Sequence, residues 1–367
     1  MPDMLSKLPP ETRRLLPLGQ PQPLAIAASF PLHLAALEGR LYAAWADPAG
    51  TEAWLAVLDE SGAPQGFPHA LPLSYLEGLG SSRGSLWLVA ARPGDDQPRL
   101  LELDGQGTIL WENPVPVGAD LARWPRLACH EDSFSLYWES GGEHPAVCRV
   151  RLDNNTWQQV VRVEIDSPST ELNGTGDGPR LVLGRTSSSV EGLQLIAIQE
   201  AGPTRQAFLT GVRYPEHISL VASEGQIGGL WLSMPERSLQ IQWFNEELIP
   251  LAPAQPLALA EPGGQVSTAR FISSGEGHLA VFIQTEAPGD APLAAEGTAY
   301  AGRPALHLAQ FVGLLSWKTG QGGPFLSIQP AGSSFFTGAW LRDRLAVVHG
   351  DRQPWVSFFT AELEVPV

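Results

Sequence analysis

One motif in the sequence has the spacing of a catalytic nucleophile. GSSRG (80–84) matches the pattern G-x-S-x-G and places Ser82 at the nucleophile position. In hydrolases with this pattern, the serine lies on a sharp turn between a strand and a following helix. Here SLWLVAA (85–91) follows, and its composition favours a strand. We therefore interpret GSSRG as a loop between structural units and assign no catalytic residue.

Two cysteines and two histidines lie close together and could supply metal ligands. They are Cys129, His130, His144 and Cys148, and zinc is commonly bound by thiolate and imidazole. The paired cysteine spacing of zinc sites is absent. The pattern instead predicts Cys129 on the first strand and Cys148 on the third strand of one sheet, about 9–10 Å apart. That is too far for a disulfide, so we expect two buried, unreactive thiols and no metal.

The other ionisable side chains show no spacing that is typical of a site. Paired carboxylates such as Asp95–Asp96 and Glu246–Glu247 fall in turns, where solvated charge is usual. There is no glycine-rich phosphate loop. We therefore expect no cofactor. The remaining histidines are scattered along the chain, at His33, His69, His217, His278, His307 and His349.

Charge and composition limit the partners that this protein can have. The chain has 367 residues and a formal net charge of −16. Nucleic acids and anionic membranes bind through lysine and arginine, so we expect neither, and a basic protein surface is the more natural partner. The N-terminus lacks the apolar stretch of a secretory signal, and no apolar run is long enough to span a bilayer. These features predict a cytoplasmic protein, and richness in Ala, Pro, Leu and Gly suggests a bacterial one.

Short strands joined by turns recur along the whole chain. The 38 Gly and 33 Pro residues punctuate many short apolar stretches. An upstream strand such as LHLAALE (32–38) and a downstream strand such as TILWENPVP (108–116) extend the repeated unit to four strands. An apolar strand, a charged loop and a second strand occur in this order seven times, at residues 39–66, 84–111, 132–157, 191–211, 228–248, 276–312 and 343–363.

The spacing of this unit predicts the architecture. The second strands start near residues 41, 86, 134, 193, 230, 279 and 345, a period close to the roughly 40–50 residues of a propeller blade. Radial packing of sheets covers both apolar faces of such a unit. We therefore predict an all-β fold, a seven-bladed β-propeller of four-stranded antiparallel blades. A large β-sandwich is the alternative.

LDGQGTILW (103–111) resembles the repeat of quinoprotein-type propellers. In that repeat an Asp, a Gly three residues later and a Trp four residues beyond mark the turn between the outer two strands. The resemblance covers about two blades and implies architecture, without a quinone cofactor or a dehydrogenase activity. The spacing is complete in one copy and partial in two others: Asp104, Gly107 and Trp111; Asp59 and Gly62; Asp153 and Trp157.

The two ends of the chain are expected to meet in one sheet. We assign residues 1–22 to an N-terminal arm and residues 23–367 to a single propeller domain. LPPETRRLLPL (8–18) predicts one or two helical turns in the arm, packed on the rim or docked on another subunit. A strand at 23–28 or at 361–367, the former in preference, is expected to complete the last blade and close the ring.

The loops between second and third strands carry an excess of acidic residues. Loops on a rigid scaffold commonly carry binding residues, and here twelve acids stand against four arginines. We predict an electronegative ring that steers a basic partner; charge placed for solubility is the alternative. The candidate partner-binding residues are Asp47, Glu52, Asp95, Asp96, Glu139, Glu143, Glu200, Glu236, Asp290, Asp351 and Tyr300, the last from the insertion 287–303.

Two hypotheses for function follow. In the first, the chain is a non-enzymatic scaffold for protein–protein interaction within a bacterial multi-protein assembly. It looks like the stand-alone propellers paired with AAA-type ATPases in defence or conflict systems, which implies an AAA-type ATPase or another subunit of the same operon as partner. In the second, it is a hydrolase or lyase that acts on a small molecule or carbohydrate in the central channel. That function requires titratable groups from several blades to converge on the axis.

Overall fold

The computed structural model shows a chain of antiparallel β-strands joined by turns and loops. Within its described residues, no helix has the length and apolar character needed to cross a membrane. The described residues are 13–24, 32–47, 51–95, 97–118, 125–130, 133–177, 179–187, 190–200, 203–209, 211–212, 214–223, 225–234, 238–256, 265–273, 278–286, 305–312, 326–328, 335–342, 344–350 and 354–363.

Two short strands come first, and six sheets of consecutive strands follow, which we number blades 1 to 6. The N-terminal strands are β1 (Arg13–Pro17) and β2 (Gln22–Pro23). Blade 1 contains β3 (Leu32–Leu37), β4 (Arg40–Ala46), β5 (Ala53–Leu58) and β6 (His69–Leu71). Blade 2 contains β7 (Tyr75–Ser82), β8 (Ser85–Ala91), β9 (Arg99–Leu103) and β10 (Ile109–Pro114). Blade 3 contains β11 (Arg126–His130), β12 (Ser133–Ser140), β13 (Ala146–Asp153), β14 (Thr156–Trp157) and β15 (Val161–Glu164).

The second half of the chain continues the same pattern. Blade 4 contains β16 (Ser169–Asp177), β17 (Arg180–Ser187), β18 (Val190–Gln199) and β19 (Arg205–Leu209). Blade 5 contains β20 (Pro215–Ser223), β21 (Gln226–Ser233), β22 (Ser238–Phe244) and β23 (Gln255–Pro256). Blade 6 contains β24 (Gln265–Ser273), β25 (His278–Glu286), β26 (Ala305–Val312) and β27 (Leu326–Ile328).

The last sheet combines strands from both ends of the described chain, and we call it the composite sheet. It contains β28 (Phe335–Leu341), β29 (Arg344–Gly350) and β30 (Pro354–Leu363). Both β1 and β2 pair with the free side of β30. The prediction of seven blades is therefore wrong, since the structure shows six. Six blades consist of consecutive strands, and the seventh copy of the repeat supplies only three strands because β30 pairs with the N-terminal segment instead of a following strand.

The middle strands of the blades are buried on both faces. All eight residues of β12 are buried, as are six of the seven in β8. Blades 2 to 5 each pack between two other blades, so both of their faces lie against apolar side chains. This explains why β8, SLWLVAA, is apolar throughout after its first residue instead of alternating with polar residues. The outer strand β10, by contrast, has no fully buried residue.

Blade 4 differs from its predicted strand assignment. We assigned 191–211 as its second and third strands, whereas the structure shows them as the third and fourth, β18 and β19. The second strand is β17, which the sequence analysis missed because no Gly, Pro or charged loop separates it from β18. With β17 in place, the second strands of blades 3, 4 and 5 start at 133, 180 and 226, a more regular spacing than predicted.

The N-terminal arm contains a strand where a helix was predicted. Residues 13–17 pair with residues 359–363 in antiparallel register. Leu18 and Leu24 extend the contact, because their N–H groups donate to the carbonyls of Phe358 and Pro354, both at 2.8 Å. A lone short helix is marginal in water, whereas β30 offers a row of unpaired backbone groups. The predicted strand at 23–28 lies mostly outside the described residues.

The Asp–Gly pairs of the quinoprotein-like repeat form one type of turn between third and fourth strands. Asp104 Oδ1 accepts N–H donors from Gln106 and Thr108, both at 2.8 Å. Gly107 has a positive φ of 83°, and its N–H donates to the Asp104 carbonyl. Asp59 and Gly62 form the same turn. Asn245 forms it in blade 5 with Leu248 at the left-handed position, a copy that the Asp–Gly pattern could not detect.

Candidate functional site

Six ionisable side chains lie on the first strands of the six blades. Arg270 is the sixth of the nine residues of β24, and the other five lie near the end of the blades at which these strands begin. We call this the upper end; it carries the loops between second and third strands. The hairpins between first and second strands and the loops between third and fourth strands form the lower end. First strands of successive blades contact each other, and β28 contacts both β24 and β3. We call the six residues the axial cluster: His33, Glu77, Arg126, Glu171, His217 and Arg270.

Electrostatic interactions between blades that are not neighbours indicate that these side chains face a common space. The charge of Arg126 acts on Arg270, although blades 4 and 5 lie between their strands. The charge of Arg270 acts on His33, with the composite sheet between them. Coulomb interactions weaken with distance and with intervening solvent. The charges of Arg126 and Arg270 can therefore act across the intervening strands if these side chains point toward the centre around which the first strands are arranged.

Arg126 lies between two carboxylates with perturbed pKa values. Burial raises the pKa of both Glu77 and Glu171 above the usual value for glutamate, and the positive charge of Arg126 opposes this increase in each case. The guanidinium is held in place because its Nη1 donates to the Leu172 carbonyl at 2.8 Å. Titratable groups with such perturbed pKa values are enriched at functional sites.

Side chains of β16 fix the position of blade 5 against blade 4. Three alternate residues on β16 accept hydrogen bonds from alternate backbone N–H groups of β20. This ladder uses one carboxylate oxygen of Glu171 as a structural acceptor. The pairs are Glu171 Oε1 with Ile218 at 2.7 Å, Asn173 Oδ1 with Leu220 at 3.1 Å and Thr175 Oγ1 with Ala222 at 3.1 Å.

Arg270 and His33 carry polar atoms without a partner among the described residues. Arg270 is accessible to solvent, and neither a hydrogen bond nor an ion pair joins it to any described residue. Desolvation by the surrounding protein and the charge of Arg126 lower the pKa of its guanidinium. His33 Nε2 is buried without a hydrogen-bond partner in this part of the chain. Burial lowers the pKa of His33, and a hydrogen bond to the Leu76 backbone opposes that decrease.

Two exposed tyrosines flank the axial cluster at the upper end. Tyr75 begins β7 and is 53% exposed, and Tyr214 immediately precedes β20 and is 65% exposed. They stand two and three residues before Glu77 and His217, respectively. Exposed tyrosine offers a large apolar ring with a polar tip, a combination that is enriched at binding surfaces. The upper end therefore combines ionisable groups at its centre with aromatic rings beside them.

Four of the predicted partner-binding acids lie in loops of the upper end: Asp47, Glu52, Asp95 and Glu143. Glu52 and Glu143 are exposed. Asp47 has a structural role, because its carboxylate accepts hydrogen bonds from the Thr51 N–H, the Thr51 hydroxyl and the Glu52 N–H. The negative charge available to a partner in these loops is thus smaller than the sequence suggests.

Asp95 belongs to an ion-pair network with no net charge. Its Oδ2 lies 3.1 Å from Arg99 Nη2, and Arg99 Nη1 lies 3.2 Å from Glu112 Oε1. Glu112 also pairs with Arg92. Two carboxylates and two guanidiniums therefore balance each other. The Gln97 N–H and then Arg99 lower the pKa of Asp95, and the hydrogen bond from Arg92 lowers the pKa of Glu112.

Two predicted acids do not lie in the loops to which we assigned them. Glu139 is on β12 and is buried, with 1% of its surface exposed. Glu200 follows β18 and lies at the lower end, paired with Arg151. The Glu200 assignment failed because β17 was missed, which reversed the ends of blade 4. Asp96, Glu236, Asp290, Asp351 and Tyr300 lie outside the described residues.

Ser82 is at the lower end of β7, in the hairpin that leads into β8. The turn consists of Arg83 and Gly84, both with positive φ, as is typical of two-residue hairpins. Ser82 is buried, and its carbonyl accepts a hydrogen bond from the Trp87 indole at 3.1 Å. The predicted loop between units is therefore a hairpin within one blade.

Cys129 and Cys148 lie on the first and third strands of blade 3, as predicted, and both are free thiols. Burial raises the pKa of Cys129 to about 12 and also raises the pKa of Cys148. Over the described ranges, no group of three His, Cys, Asp or Glu side chains is placed to hold a metal ion.

The sequence analysis missed the axial cluster, although the signal was present. It treated His33 and His217 as scattered histidines and did not align the first strands with each other. Each of these strands carries an ionisable residue beside the apolar residues that face the neighbouring blades, as in LHLAAL (32–37) and RLACH (126–130). Aligning the repeats by their first strands would have placed five of these residues within the first three positions of a strand.

No protein-family model matches the chain, and no curated protein matches it. Solved structures do. BBS1N, solved in complex with ARL6DN and soaked with lead, is 10% identical, with a TM-score of 0.58, 96% of this chain covered and 99% of that chain. The Dos1 propeller is 10% identical, with a TM-score of 0.50 and coverages of 97% and 95%. The polysaccharide lyase Uly1 is 9% identical, with a TM-score of 0.52 and coverages of 92% and 90%.

At these identities the similarity shows the fold alone. Together with the four-stranded antiparallel blades, it places the chain among β-propeller proteins.

Proposed function

We propose that this chain is a recognition module that binds a protein partner at the upper end of the propeller and does not itself catalyse a reaction. The observation that supports this most is the arrangement of the upper end, where exposed Tyr75 and Tyr214 flank the axial cluster. Glu52 and Glu143 add exposed negative charge in the surrounding loops. Aromatic residues are enriched at the centres of interfaces, and charged groups around them steer a complementary partner.

The partner that fits this surface has a basic patch. A net charge of −16 attracts such a patch over long range. An AAA-type ATPase or another subunit of the same bacterial cytoplasmic assembly is the first candidate, as the sequence suggested. BBS1N was solved in complex with another protein, which is consistent with an interaction role for this fold.

Capture of the partner from an extract of the source organism tests this function. The upper-end variant replaces Glu52 and Glu143 with Gln and Tyr75 and Tyr214 with Ala. A control variant with Asp153→Asn and Glu246→Gln changes exposed acids of the lower end. We expect the wild type and the control to retain the same protein and the upper-end variant to lose most of it. Equal capture by all three proteins would contradict the proposal.

We also propose that the composite sheet closes the ring of six blades. β28 contacts the first strands on both sides, β24 and β3. The Trp340 indole donates to the Ile272 carbonyl of blade 6 at 3.0 Å. On the other side, one apolar cluster joins blade 1 to the composite sheet and includes Leu24, Leu34, Val348 and Val356. Pairing of β1 with β30 would then hold the ring shut.

A hydrolase or lyase acting on a small molecule or carbohydrate is the second candidate. It is favoured by Glu77 and Glu171, two carboxylates with raised pKa values on either side of Arg126. A carboxyl group whose pKa is raised by burial holds its proton to higher pH and is a candidate general acid. The similarity to Uly1, a polysaccharide lyase, is compatible with this function but extends only to the fold.

A panel of acidic polysaccharides and model esters would test the second candidate. An enzyme of this kind should release product at a rate that Glu77→Gln and Glu171→Gln each reduce at least a hundredfold, as expected for loss of a general acid. Glu246→Gln, an exposed change at the lower end, is the matched control. Absence of turnover, or equal turnover by all variants, would rule the second candidate out.

A further inference from the structure

We propose that two Tyr-x-Glu segments at the upper end each bind an arginine side chain of a protein partner. They are residues 75–77, Tyr-Leu-Glu, in blade 2 and residues 214–216, Tyr-Pro-Glu, at the start of blade 5. The inference rests on the proposed recognition role of the upper end and names the side chain that is recognised there.

The two segments occupy the same place in their blades. Tyr75 is the first residue of β7, and Tyr214 immediately precedes β20. The middle residue of each segment is buried: Leu76 is 6% exposed, and Pro215 is buried as well. The same three-residue pattern therefore begins the first strand of two blades that are separated by blades 3 and 4.

A β-bulge accompanies each Tyr-x-Glu segment. In blade 2, Glu77 is an extra residue of β7, because the register with β8 shifts between Leu76 and Gly78. In blade 5, the register of β20 with β21 shifts between Glu216 and Ser219. Bulges are frequent beside functional sites, where they change the direction of nearby side chains. The two segments are thus alike in backbone structure as well as in sequence.

The tyrosine and glutamate of each segment are accessible together. Tyr75 is 53% exposed and Tyr214 is 65% exposed. Glu216 is exposed, and Glu77 is partly exposed. Residues two apart in a chain have Cα atoms at most about 7 Å apart. One extended side chain of a partner can therefore contact the ring and the carboxylate of a segment at the same time.

Both carboxylates have acceptor oxygens left for a partner. Within the described residues, neither Glu77 nor Glu216 takes part in a hydrogen bond or an ion pair. Arg126 is engaged elsewhere, since its Nη1 donates to the Leu172 carbonyl at 2.8 Å. Burial raises the pKa of Glu77, and the charge of Arg126 opposes this increase. An ion pair in such a partly desolvated place is stronger than one in bulk water.

Arginine is the side chain that fits a tyrosine ring beside a carboxylate. Its guanidinium is planar and stacks on aromatic rings, where the cation is attracted by the face of the ring. Its N–H donors form a fork that matches the two oxygens of a carboxylate. A net charge of −16 attracts a basic partner over long range. Each Tyr-x-Glu segment is thus complementary in shape and charge to one arginine.

NMR spectroscopy of protein with isotope-labelled tyrosine rings tests the proposal, because the chain contains only five tyrosines. The probe is arginine blocked by N-acetyl and C-terminal N-methylamide groups, and the matched control is the neutral citrulline compound. We expect saturable shifts of the Tyr75 and Tyr214 signals, assigned with Tyr→Phe variants, with blocked arginine alone. Tyr42 and Tyr137, at 1% and 3% exposure, are internal controls. No shift of the exposed tyrosines, or equal shifts with blocked citrulline, overturns the proposal.

Two variants assign the binding to the carboxylates, and each is the control for the other. Glu77→Gln should weaken binding at Tyr75 about two- to fivefold and leave binding at Tyr214 unchanged, as expected for loss of an exposed ion pair. Glu216→Gln should have the reverse effect. Unshifted signals of the buried tyrosines show that a variant is folded. Unchanged binding at both tyrosines in both folded variants overturns the proposal.

Blocked lysine distinguishes arginine from another basic side chain. It should bind more weakly than blocked arginine, because its ammonium group has no flat face to stack on the ring. Equal or tighter binding of blocked lysine overturns the assignment to arginine.

The failure of this inference is distinguishable from failure of the proposed function. If blocked arginine does not bind but the upper-end variant loses the protein partner, the inference fails while the recognition function stands. If blocked arginine binds at both tyrosines but the upper-end variant captures the partner normally, the recognition function fails while the arginine sites stand.

Discussion

The Glu139 carboxylate of β12 accepts the backbone N–H of Ser169 at the start of β16, at 3.0 Å to Oε1 and 3.1 Å to Oε2. Both residues are buried. The bond joins blade 3 to blade 4 near the upper end, so a side chain that the sequence analysis assigned to partner binding instead holds two blades together.

Replacing Glu139 with Ala should therefore destabilise the protein. The substitution removes both carboxylate oxygens that accept the buried Ser169 N–H, and loss of a hydrogen bond to a charged group costs about 1–3 kcal/mol. Glu139→Gln keeps one acceptor oxygen and should cost less. Chemical denaturation measures both values. Glu143→Ala, in the adjacent exposed loop, is the control and should change the free energy of unfolding by less than about 0.5 kcal/mol; an equal loss in both variants would argue against the role of Glu139.

Replacing Gly62 with Ala should destabilise the contact between blade 1 and the composite sheet. Gly62 has a φ of 82°, and a Cβ there would lie 2.7 Å from Val356 Cγ1 and 2.8 Å from Phe358 Cε2. The left-handed conformation costs an alanine about 1–2 kcal/mol, and overpacking adds about 1–3 kcal/mol. Gly66, with a φ of 88° and no atom within 4 Å of the added Cβ, isolates the conformational cost. We expect thermal unfolding to show a clearly larger effect for Gly62→Ala, and equal effects would mean that the packing contact is unimportant.

His349 should make the protein less stable as the pH falls below neutral. It is fully buried in the composite sheet, where Nε2 lies 3.0 Å from the Ser357 hydroxyl oxygen, and burial lowers its pKa from 6.5 to about 4. Between these pH values the unfolded chain binds a proton that the folded chain does not, so stability is complete above pH 6.5 and falls by up to about 3 kcal/mol toward pH 4.

The measurement is the difference in unfolding free energy between the wild type and His349→Gln across that range. The variant lacks the titrating group, so its stability should depend less on pH there. Parallel curves for the two proteins would show that His349 does not contribute to the acid sensitivity.

Removal of residues 1–18 should weaken the composite sheet if it closes the ring. The deletion takes away β1 and exposes the outer edge of β30 at residues 359–363. We expect a lower unfolding temperature and faster amide exchange in β29 and β30, because an exposed edge strand is easily frayed. A shorter deletion of residues 1–11 keeps β1 and serves as the control. An unchanged melting temperature after the longer deletion would contradict closure by this pairing.

Much of the fold could be predicted from the repeat of apolar strands and turns. The Asp–Gly turns show why: Asp104 and Gly107 form a local structure whose hydrogen bonds all lie within five residues. The second strand of blade 4 could not be predicted as easily, since no turn residue separates β17 from β18. The helix assigned to residues 8–18 failed for a different reason, because its partner β30 is more than 300 residues away in the chain.

Elements whose interactions are local follow from the amino-acid sequence: the four-strand repeat, the turns between outer strands and the burial of the middle strands on both faces. Which side chains meet depends instead on how the blades pack. His33, Arg126 and Arg270 belong to three different blades, and their spacing along the chain carries no information about their distance in space. Glu139 likewise was expected in an exposed loop, whereas in the structure it lies on β12 and bonds to blade 4. The physical reason is that hydrogen bonds of strands and turns depend on neighbours in sequence or in one hairpin, whereas electrostatic contacts near the axis depend on how all the blades are arranged around it.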